Sequence, residues 1–146
     1  MKIAFGSDHA GYTMKEALKK HVEGMGYECV DYGCFSAERA NYPEYGEKAA
    51  RAVASGECDL GILVCGTGCG ISLSANRVKG IRCCNCSEPY TAMLSRMHNN
   101  ANMVAVGSRV IGEGLACLIA ESFLKAEFEG GRHAERVAMI EAIDKN

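Results

Sequence analysis

The sequence lacks the features of membrane-embedded, exported and nucleic-acid-binding chains. No apolar stretch approaches the length of a membrane span, and Asp8 comes before any signal-peptide apolar region can form. The 16 basic and 18 acidic residues are scattered and leave a net charge of −2, which excludes a broad basic surface for nucleic acid or an anionic membrane. We therefore expect a cytoplasmic protein with no nucleic-acid or membrane partner, in which a small anion still has room for a local site.

The chain also lacks a linker rich in Pro, Ser or Gly, a low-complexity segment and an internal repeat. With 48% hydrophobic and 23% charged residues it is neither a disordered chain nor a coiled coil. Because 146 residues suffice to bury a full hydrophobic core, we expect residues 1–146 to form a single domain.

Nine cysteines are many, but their odd number and the missing export signal argue against a disulfide framework. We expect most of them to pack as small buried hydrophobic side chains. Cys83 and Cys86 have a C-x2-C spacing, yet a structural zinc site needs a second matched pair. A thioredoxin-like motif would begin a helix, whereas these cysteines close a predicted strand. A zinc or thiol redox protein is therefore the weaker alternative.

Short apolar runs alternate with amphipathic segments along the chain. The runs predict five buried strands, Lys2 to Gly6, Tyr27 to Asp31, Asp59 to Cys65, Ile81 to Cys86 and Asn102 to Gly107. The first helical pattern joins Met14, Leu18, Val22 and Met25 and ends at Gly24 and Gly26; the others span Pro43 to Ser55, Cys69 to Arg77, Ser87 to His98 with Ser87 as N-cap, Gly112 to Phe128, and Ala134 to Lys145. This alternation predicts an α/β fold, a three-layer α/β/α sandwich with a Rossmann-like five-stranded parallel sheet, in which ligands bind beyond the carboxyl ends of the strands.

The loop after the third predicted strand carries the strongest chemical signal. Cys65 runs directly into Gly66-Thr67-Gly68-Cys69-Gly70, where glycines let the backbone turn and present its N–H groups at a helix N-terminus. Such a nest binds phosphate or a developing oxyanion. It is not a dinucleotide fingerprint, because Ile71 takes the place of the third glycine, and it is not a Walker loop. Thiols at helix N-termini are more acidic than free thiols, which favours Cys65 as a base over a structural cysteine.

Two polar pairs have both a functional and a structural interpretation. Asp8 and His9 follow the first predicted strand, where they suit a polyhydroxylated ligand, but Asp8 also suits the cap of the next helix. His98 and Asn99 lie where a predicted helix meets a loop, and residues of these types are common in C-terminal caps.

A basic pair lies near the C-terminus. Arg132 and Arg136 are four residues apart, so a helix would aim both guanidinium groups in one direction, as a phosphate clamp requires. The commoner origin of such a pair is a solvated basic face balanced by neighbouring acids, here Glu129 and Glu135.

Five spaced motifs occur in order along nearly the whole chain: Gly-Ser-Asp-His-Ala-Gly at 6–11, Asn-Tyr-Pro at 41–43, Cys-Gly-Thr-Gly-x-Gly-Ile at 65–71, His-Asn-x-Ala-Asn at 98–102 and Gly-Gly-Arg-His-x-x-Arg-Val at 130–137. With them the chain resembles the ribose-5-phosphate isomerase B family, which also includes galactose- and allose-phosphate isomerases. The resemblance implies a cofactor-free aldose–ketose isomerase of phosphorylated sugars. It implies that Cys65 moves a proton between C1 and C2 through a cis-enediolate held by Thr67 and the loop amides, and that His98 helps to open the furanose ring.

The resemblance also assigns substrate contacts. Asp8, His9 and Asn99 contact sugar hydroxyls, Arg132 and Arg136 grip the phosphate, and Arg109 is a further phosphate or interface residue. The full substrate-binding set is Asp8, His9, Tyr42, Gly66, Gly68, Cys69, Gly70, Asn99, Arg109, Arg132 and Arg136. Family members are homodimers or homotetramers in which His98 and Asn99 come from the neighbouring subunit, so a monomer is expected to be inactive.

The choice of sugar stays open at this point. Asn41, Glu44 and Asn100 stand where relatives often carry Asp, near the expected substrate. Ribose 5-phosphate is the first choice because it is the commonest substrate of the family. The alternatives are a six-carbon sugar phosphate, such as allose 6-phosphate or galactose 6-phosphate, and a non-catalytic sugar-phosphate-binding protein. The presence of both Cys65 and His98 argues against the last.

Overall fold

The structure is a computed structural model that describes residues 1–143. Its strands are β1 (Lys2–Ser7), β2 (Glu28–Asp31), β3 (Leu60–Cys65), β4 (Cys83–Asn85) and β5 (Met103–Gly107), all parallel in one sheet of order β2-β1-β3-β5-β4. The helices are α1 (Tyr12–Gly24), α2 (Tyr42–Ala54), α3 (Cys69–Ala75), α4 (Pro89–Asn99), α5 (Glu113–Lys125) and α6 (Arg132–Ile143). The predicted α/β fold with a five-stranded parallel sheet is confirmed.

Two hydrophobic cores cover the two faces of the sheet because side chains alternate along each strand. In β3, Ile62 and Val64 face one core while Leu63 and Cys65 face the other. The first core contains the apolar faces of α1, α4 and α5, and the second contains those of α2 and α3. The sheet therefore lies between two helical layers, as predicted, and α6 packs against α4. Within residues 1–143, no helix combines the length and apolar character needed to cross a bilayer.

Several predicted boundaries shift where backbone groups find other partners. The predicted strand from Ile81 to Cys86 shortens to β4, because the Ile81 N–H donates to Val78 and the Arg82 N–H donates to the Asn102 side chain. The prediction that Ser87 caps α4 is wrong. The N-cap is Glu88, whose carboxylate accepts the backbone N–H of Thr91 at 2.9 Å.

Helix ends differ for similar reasons. Helix α3 stops at Ala75, two residues before the predicted end, and the Asn76 side chain binds both backbone groups of Cys83 at 2.8 Å. Helix α5 stops at Lys125 instead of Phe128 because Ala126 is extended. Helix α6 begins at Arg132, earlier than predicted, and its predicted end at Lys145 lies outside the described residues.

A topological switch point, where open α/β sheets form a ligand-binding crevice, lies where β1 and β3 end side by side. The chain leaves β1 for α1 on one face of the sheet and leaves β3 for α3 on the other face. Ligands of open α/β sheets bind in such a crevice. The two loops pack so closely that a Cβ at Gly11 would lie 2.4 Å from the carbonyl oxygen of Val64, which only glycine avoids.

Candidate active site

The glycine loop after β3 is organised around the thiol of Cys65. Cys65 is buried at the end of the strand, and the backbone N–H of Gly68 donates to its Sγ at 3.1 Å. Gly68 caps α3 with a φ of +80°, a conformation that glycine adopts without strain. The hydroxyl oxygen of Thr67 accepts the N–H of Cys69 at 3.3 Å. A backbone donor aimed at the sulfur suits a group that carries negative charge during proton transfer.

Asn85 at the end of β4 belongs to this loop and was missed by the sequence analysis. Its Nδ2 lies 3.2 Å from both the Thr67 carbonyl oxygen and the Cys69 Sγ. Its position at the carboxyl end of a strand was the available signal. The predicted strand, however, ran on to Cys86 and placed Asn85 inside it.

The loop after β1 lies against β3. The Asp8 N–H donates to the Val64 carbonyl at 3.3 Å, and the buried Asp8 carboxylate accepts the N–H of Gly11 at 3.0 Å through Oδ1. The N-cap of α1 is Gly11, so Asp8 does not cap the helix and this second bond closes the turn before it. Among residues 1–143, Oδ2 of Asp8 has no hydrogen-bond partner. The Nδ1 of His9 lies 3.1 Å from both the N and the O of Ala40, which fixes the ring through one nitrogen.

Tyr42 and Arg109 border the same loop. A Cβ at Gly70 would lie 2.7 Å from the Tyr42 ring, so this exposed tyrosine packs directly on the glycine. A Cβ at Gly66 would lie 3.3 Å from a guanidinium nitrogen of Arg109. Arg109 is exposed and forms no ion pair within the part of the chain that the structure describes, so it can receive an anion beside the loop.

The structure thus gathers most of the predicted site at the carboxyl edge of the sheet. The residues brought together there are Asp8, His9, Tyr42, Cys65, Gly66, Thr67, Gly68, Cys69, Gly70 and Arg109. We call them the thiol half-site.

The remaining predicted residues lie at the opposite edge. Helix α4 starts beyond the carboxyl end of β4 and runs back to Asn99, whose carbonyl accepts from Arg82 just before β4. Asn102, three residues after Asn99, binds the N–H of Gly61 at the start of β3. A six-residue strand spans roughly 17 Å, so this length separates His98 and Asn99 from Cys65.

Helix α6 starts beside the end of α4. The rings of His133 and His98 stack with centroids 4.2 Å apart, and the Glu129 N–H donates to the Met97 carbonyl at 3.0 Å. Arg132 and Arg136 are exposed on α6 and form no ion pair within residues 1–143, so the alternative of a basic face paired with Glu129 and Glu135 finds no support there. We call the set at this edge the imidazole half-site; it consists of His98, Asn99, Arg132 and Arg136.

All nine cysteines are free thiols, and only Cys69 is exposed. Most are buried or half-buried, as predicted. Cys83 faces the α2 and α3 core, whereas Cys84 and Cys86 face the other core. Because a strand separates their sulfurs onto opposite faces, these three cysteines do not converge on one metal ion.

Comparison with known proteins identifies the family. Residues 3–140 match the model of the Ribose/Galactose Isomerase family. The chain is 52% identical over 144 residues to ribose-5-phosphate isomerase B of Escherichia coli strain K12, covering 99% of this chain and 97% of that protein. The expectation of an enzyme, an aldose–ketose isomerase, is confirmed by these matches.

Solved structures similar to this chain belong to the same group of enzymes. The ribose-5-phosphate isomerase B of Clostridium thermocellum superposes with a TM-score of 0.97 at 51% identity, covering 99% of this chain and 97% of that one. The enzyme from Mycoplasma genitalium with bound ribulose-5-phosphate gives a TM-score of 0.93 at 37% identity, with coverage of 99% and 97%. On its motifs, its fold and these matches, the chain belongs to the Ribose/Galactose Isomerase family.

Proposed function

We propose that the protein interconverts ribose 5-phosphate and ribulose 5-phosphate, and that two copies of the chain form each active site. The observation that carries the proposal is the division of the predicted site between opposite edges of the sheet. One copy offers a base beside an oxyanion-binding loop, and its own imidazole and phosphate-binding groups lie too far away to serve that base. A second copy, related by a twofold axis, supplies the imidazole half-site to the thiol half-site of the first.

Cys65 is the base in this proposal. Its thiolate removes the proton from C2 of the open-chain aldose, a C1–C2 double bond forms, and the carbonyl electrons move onto O1. The thiol then returns the proton to C1, and the proton of the C2 hydroxyl passes to O1, so that C2 becomes the ketone and C1 carries the hydroxyl. The Thr67 hydroxyl and the N–H groups of the glycine loop hold the enediolate charge, where one lost donor costs about 10² to 10³ in rate.

The second copy completes the site. His98 transfers the protons that open the furanose ring, since an imidazole exchanges protons near neutral pH. Asn99 binds sugar hydroxyls together with Asp8 and His9 of the first copy. The exposed guanidinium groups of Arg132 and Arg136 hold the phosphate by charge-assisted hydrogen bonds. Arg109 reaches the same anion from the first copy.

The six-carbon substrates and the binding-protein role remain the competing proposals. The family includes galactose isomerases. The residues of the thiol half-site do not by themselves distinguish a five-carbon from a six-carbon sugar phosphate. The relative with bound ribulose-5-phosphate supports a five-carbon substrate.

We also infer that residues 1–146 form one domain, since every described strand joins one sheet. The cytoplasmic location stays a prediction.

Initial-rate assays with ribose 5-phosphate, allose 6-phosphate and galactose 6-phosphate, each with a chelator present, test the proposal. We expect the highest kcat/KM on ribose 5-phosphate and a fall of about 10² to 10⁴ in kcat for Cys65→Ala, the usual contribution of a positioned base. Cys117→Ser, which alters a half-buried thiol on α5, is the matched control and should keep its rate. A six-carbon preference would change the substrate and keep the mechanism. Full turnover by Cys65→Ala would overturn the role of Cys65, and no turnover on any sugar would favour the binding-protein role.

A further inference from the structure

Two histidines and one carboxylate converge where α4 meets α6, and the proposed reaction does not require all three. His98 and His133 stack with their planes 8° apart. The Nε2 atoms of both rings lie near the same oxygen of Glu129, at 3.3 Å for His133 and at 3.8 Å for His98. The three ligand atoms all lie within 4.8 Å of one another.

We propose that His98, Glu129 and His133 form a binding site for a divalent transition-metal ion such as Zn²⁺. Zinc binds imidazole nitrogen and carboxylate oxygen at about 2.0–2.2 Å, so tetrahedral ligand atoms lie about 3.3 Å apart. The His133–Glu129 pair already has this separation, and the His98–Glu129 pair needs to shorten by about half an ångström. Two imidazoles and one carboxylate leave a fourth position for water.

Two of the three ligands, Glu129 and His133, are held by the fold. The His133 side chain is only 8% exposed, which limits its rotamers, while the carboxylate of Glu129 remains reachable from solvent at 45%. The backbone N–H of Glu129 is bonded to Met97 of α4. Gly130 and Gly131 follow with φ values of +66° and +55°, a left-handed turn that starts α6 and returns His133 to the carboxylate. Because the two rings stack in parallel, their nitrogen lone pairs do not converge, so one ion binds both Nε2 atoms only after the more exposed His98 ring turns toward it.

This chemistry selects the class of metal. Neutral imidazoles suit Zn²⁺, Co²⁺, Ni²⁺ and Cu²⁺, whereas Mg²⁺ and Ca²⁺ prefer sites made only of oxygen ligands. The nine thiols of the chain are the competing ligands, and among them Cys69 is exposed. The test must therefore separate imidazole binding from thiolate binding.

The regulatory consequence rests on the proposed function. A metal ion on Nε2 of His98 takes one of the two ring nitrogens through which His98 can exchange protons and fixes the ring, so binding should inhibit the isomerase. The metal would then inhibit a reaction that, as proposed, proceeds without a metal.

Titration of the full-length, metal-free protein with Co²⁺, followed by visible absorption, tests the site directly. We expect one Co²⁺ per chain with ligand-field bands and without a thiolate-to-cobalt charge-transfer band. Glu129→Gln and His133→Gln should each weaken binding at least about tenfold, the lower end of the effect of losing even an outer-shell partner. Glu127→Gln, an exposed carboxylate two residues away in the same linker, is the matched control and should bind as the parent does. The proposal would be overturned if the parent protein bound no Co²⁺ or showed a thiolate-to-cobalt band. It would also be overturned if Glu129→Gln and His133→Gln bound Co²⁺ as tightly as the parent does.

Zinc inhibition of ribose 5-phosphate isomerisation tests the consequence. We expect Zn²⁺ to lower the rate of the parent protein, and Glu129→Gln to need at least about tenfold more zinc for half-inhibition. Each variant is compared with its own metal-free rate. Binding without inhibition would overturn the link to His98. A parent protein inactive on every sugar phosphate would count against the proposed function, while the Co²⁺ titration would still decide the metal site.

Discussion

The backbone N–H of Gly68 donates to the Sγ of Cys65 over 3.1 Å, so a main-chain group holds the proposed base. The N–H points at the sulfur because Gly68 turns the chain with a φ of +80° before α3 begins. The position of the thiol relative to the amides of the proposed oxyanion site therefore depends on a single glycine.

Gly68→Ala should damage both stability and activity. A left-handed alanine costs about 1–2 kcal/mol. Its Cβ would also lie 2.1 Å from Oδ1 of Asn85, so Asn85 must give up its bond to Thr67. We expect the rate to fall by about 10², as for the loss of one oxyanion donor. Chemical denaturation and initial rates measure the two effects.

Gly56→Ala is the control for backbone strain alone. Gly56 has the same φ of +80° but nothing within 4 Å of an added Cβ, and it follows α2. It should lose similar stability and keep its rate at temperatures where it is folded. An equal loss of activity in both variants would contradict the role of the loop geometry.

The rate of alkylation should differ between the exposed and the buried thiols. Burial raises the pKa of Cys86 to about 12 and that of Cys29 to about 11, and the pKa of the fully buried Cys83 lies well above its ordinary value. Because the thiolate is the reactive form, iodoacetamide at neutral pH should label the exposed Cys69 first and reach Cys83 only after unfolding. Peptide mass spectrometry measures the rates. Ribose 5-phosphate should slow labelling of Cys69, and labelling of Cys83 as fast as that of Cys69 would contradict the packing.

The ion pairs of Asp31 should make stability depend on pH. Lys15 is fully buried and donates to Asp31 at 2.5 Å, and Lys19 donates to the same oxygen at 2.6 Å. Burial acts to raise the pKa of Asp31, but hydrogen bonds from Lys15, Lys19 and the N–H of Gly33 outweigh it and hold the pKa below its ordinary value. A lowered pKa in the folded state stabilises the protein above the unfolded pKa of about 3.9, and this stabilisation is lost as pH falls through the folded value.

Asp31→Asn should therefore lose about 3 kcal/mol at pH 7, because Lys15 keeps a buried charge without its main partner. The difference from the parent protein should shrink as pH falls below about 4. Denaturation curves across this range measure it. Glu28→Gln, which removes an exposed pair with Lys2 at 3.6 Å, should change little at any pH. A difference between Asp31→Asn and the parent that is the same at pH 3 and pH 7 would refute this account.

The grouping of the thiol half-site can be predicted from the sequence because its main segments directly follow strands. Asp8 and His9 come after β1, Cys65 closes β3, and Arg109 follows β5. Parallel strands bring their carboxyl ends to one edge, so apolar runs and the residues after them are enough to group these side chains. Asn85 was not predicted as a site residue because β4 ends at Asn85, whereas the predicted strand continued to Cys86.

The imidazole half-site shows what a local pattern does not reveal. His98 ends a helix whose direction is fixed by the pairing of β4 with β5, and this pairing depends on contacts far apart in the sequence. The convergence of Glu129 and His133 on His98 depends in turn on how α6 packs against α4. The motif at 130–137 contains His133, but the sequence does not indicate which residues His133 contacts.

A mixed assembly of Cys65→Ala and His98→Asn chains tests the shared site most directly. Each variant alone should be nearly inactive. The two variants are co-expressed with different tags and purified as a random mixture of dimers, of which half are hybrids. Each hybrid has one intact site out of two, so activity should return to about a quarter of the parent rate. Recovery near this level would establish that Cys65 and His98 act from different copies. Two inactive variants that stay inactive in isolated hybrid dimers would contradict the account.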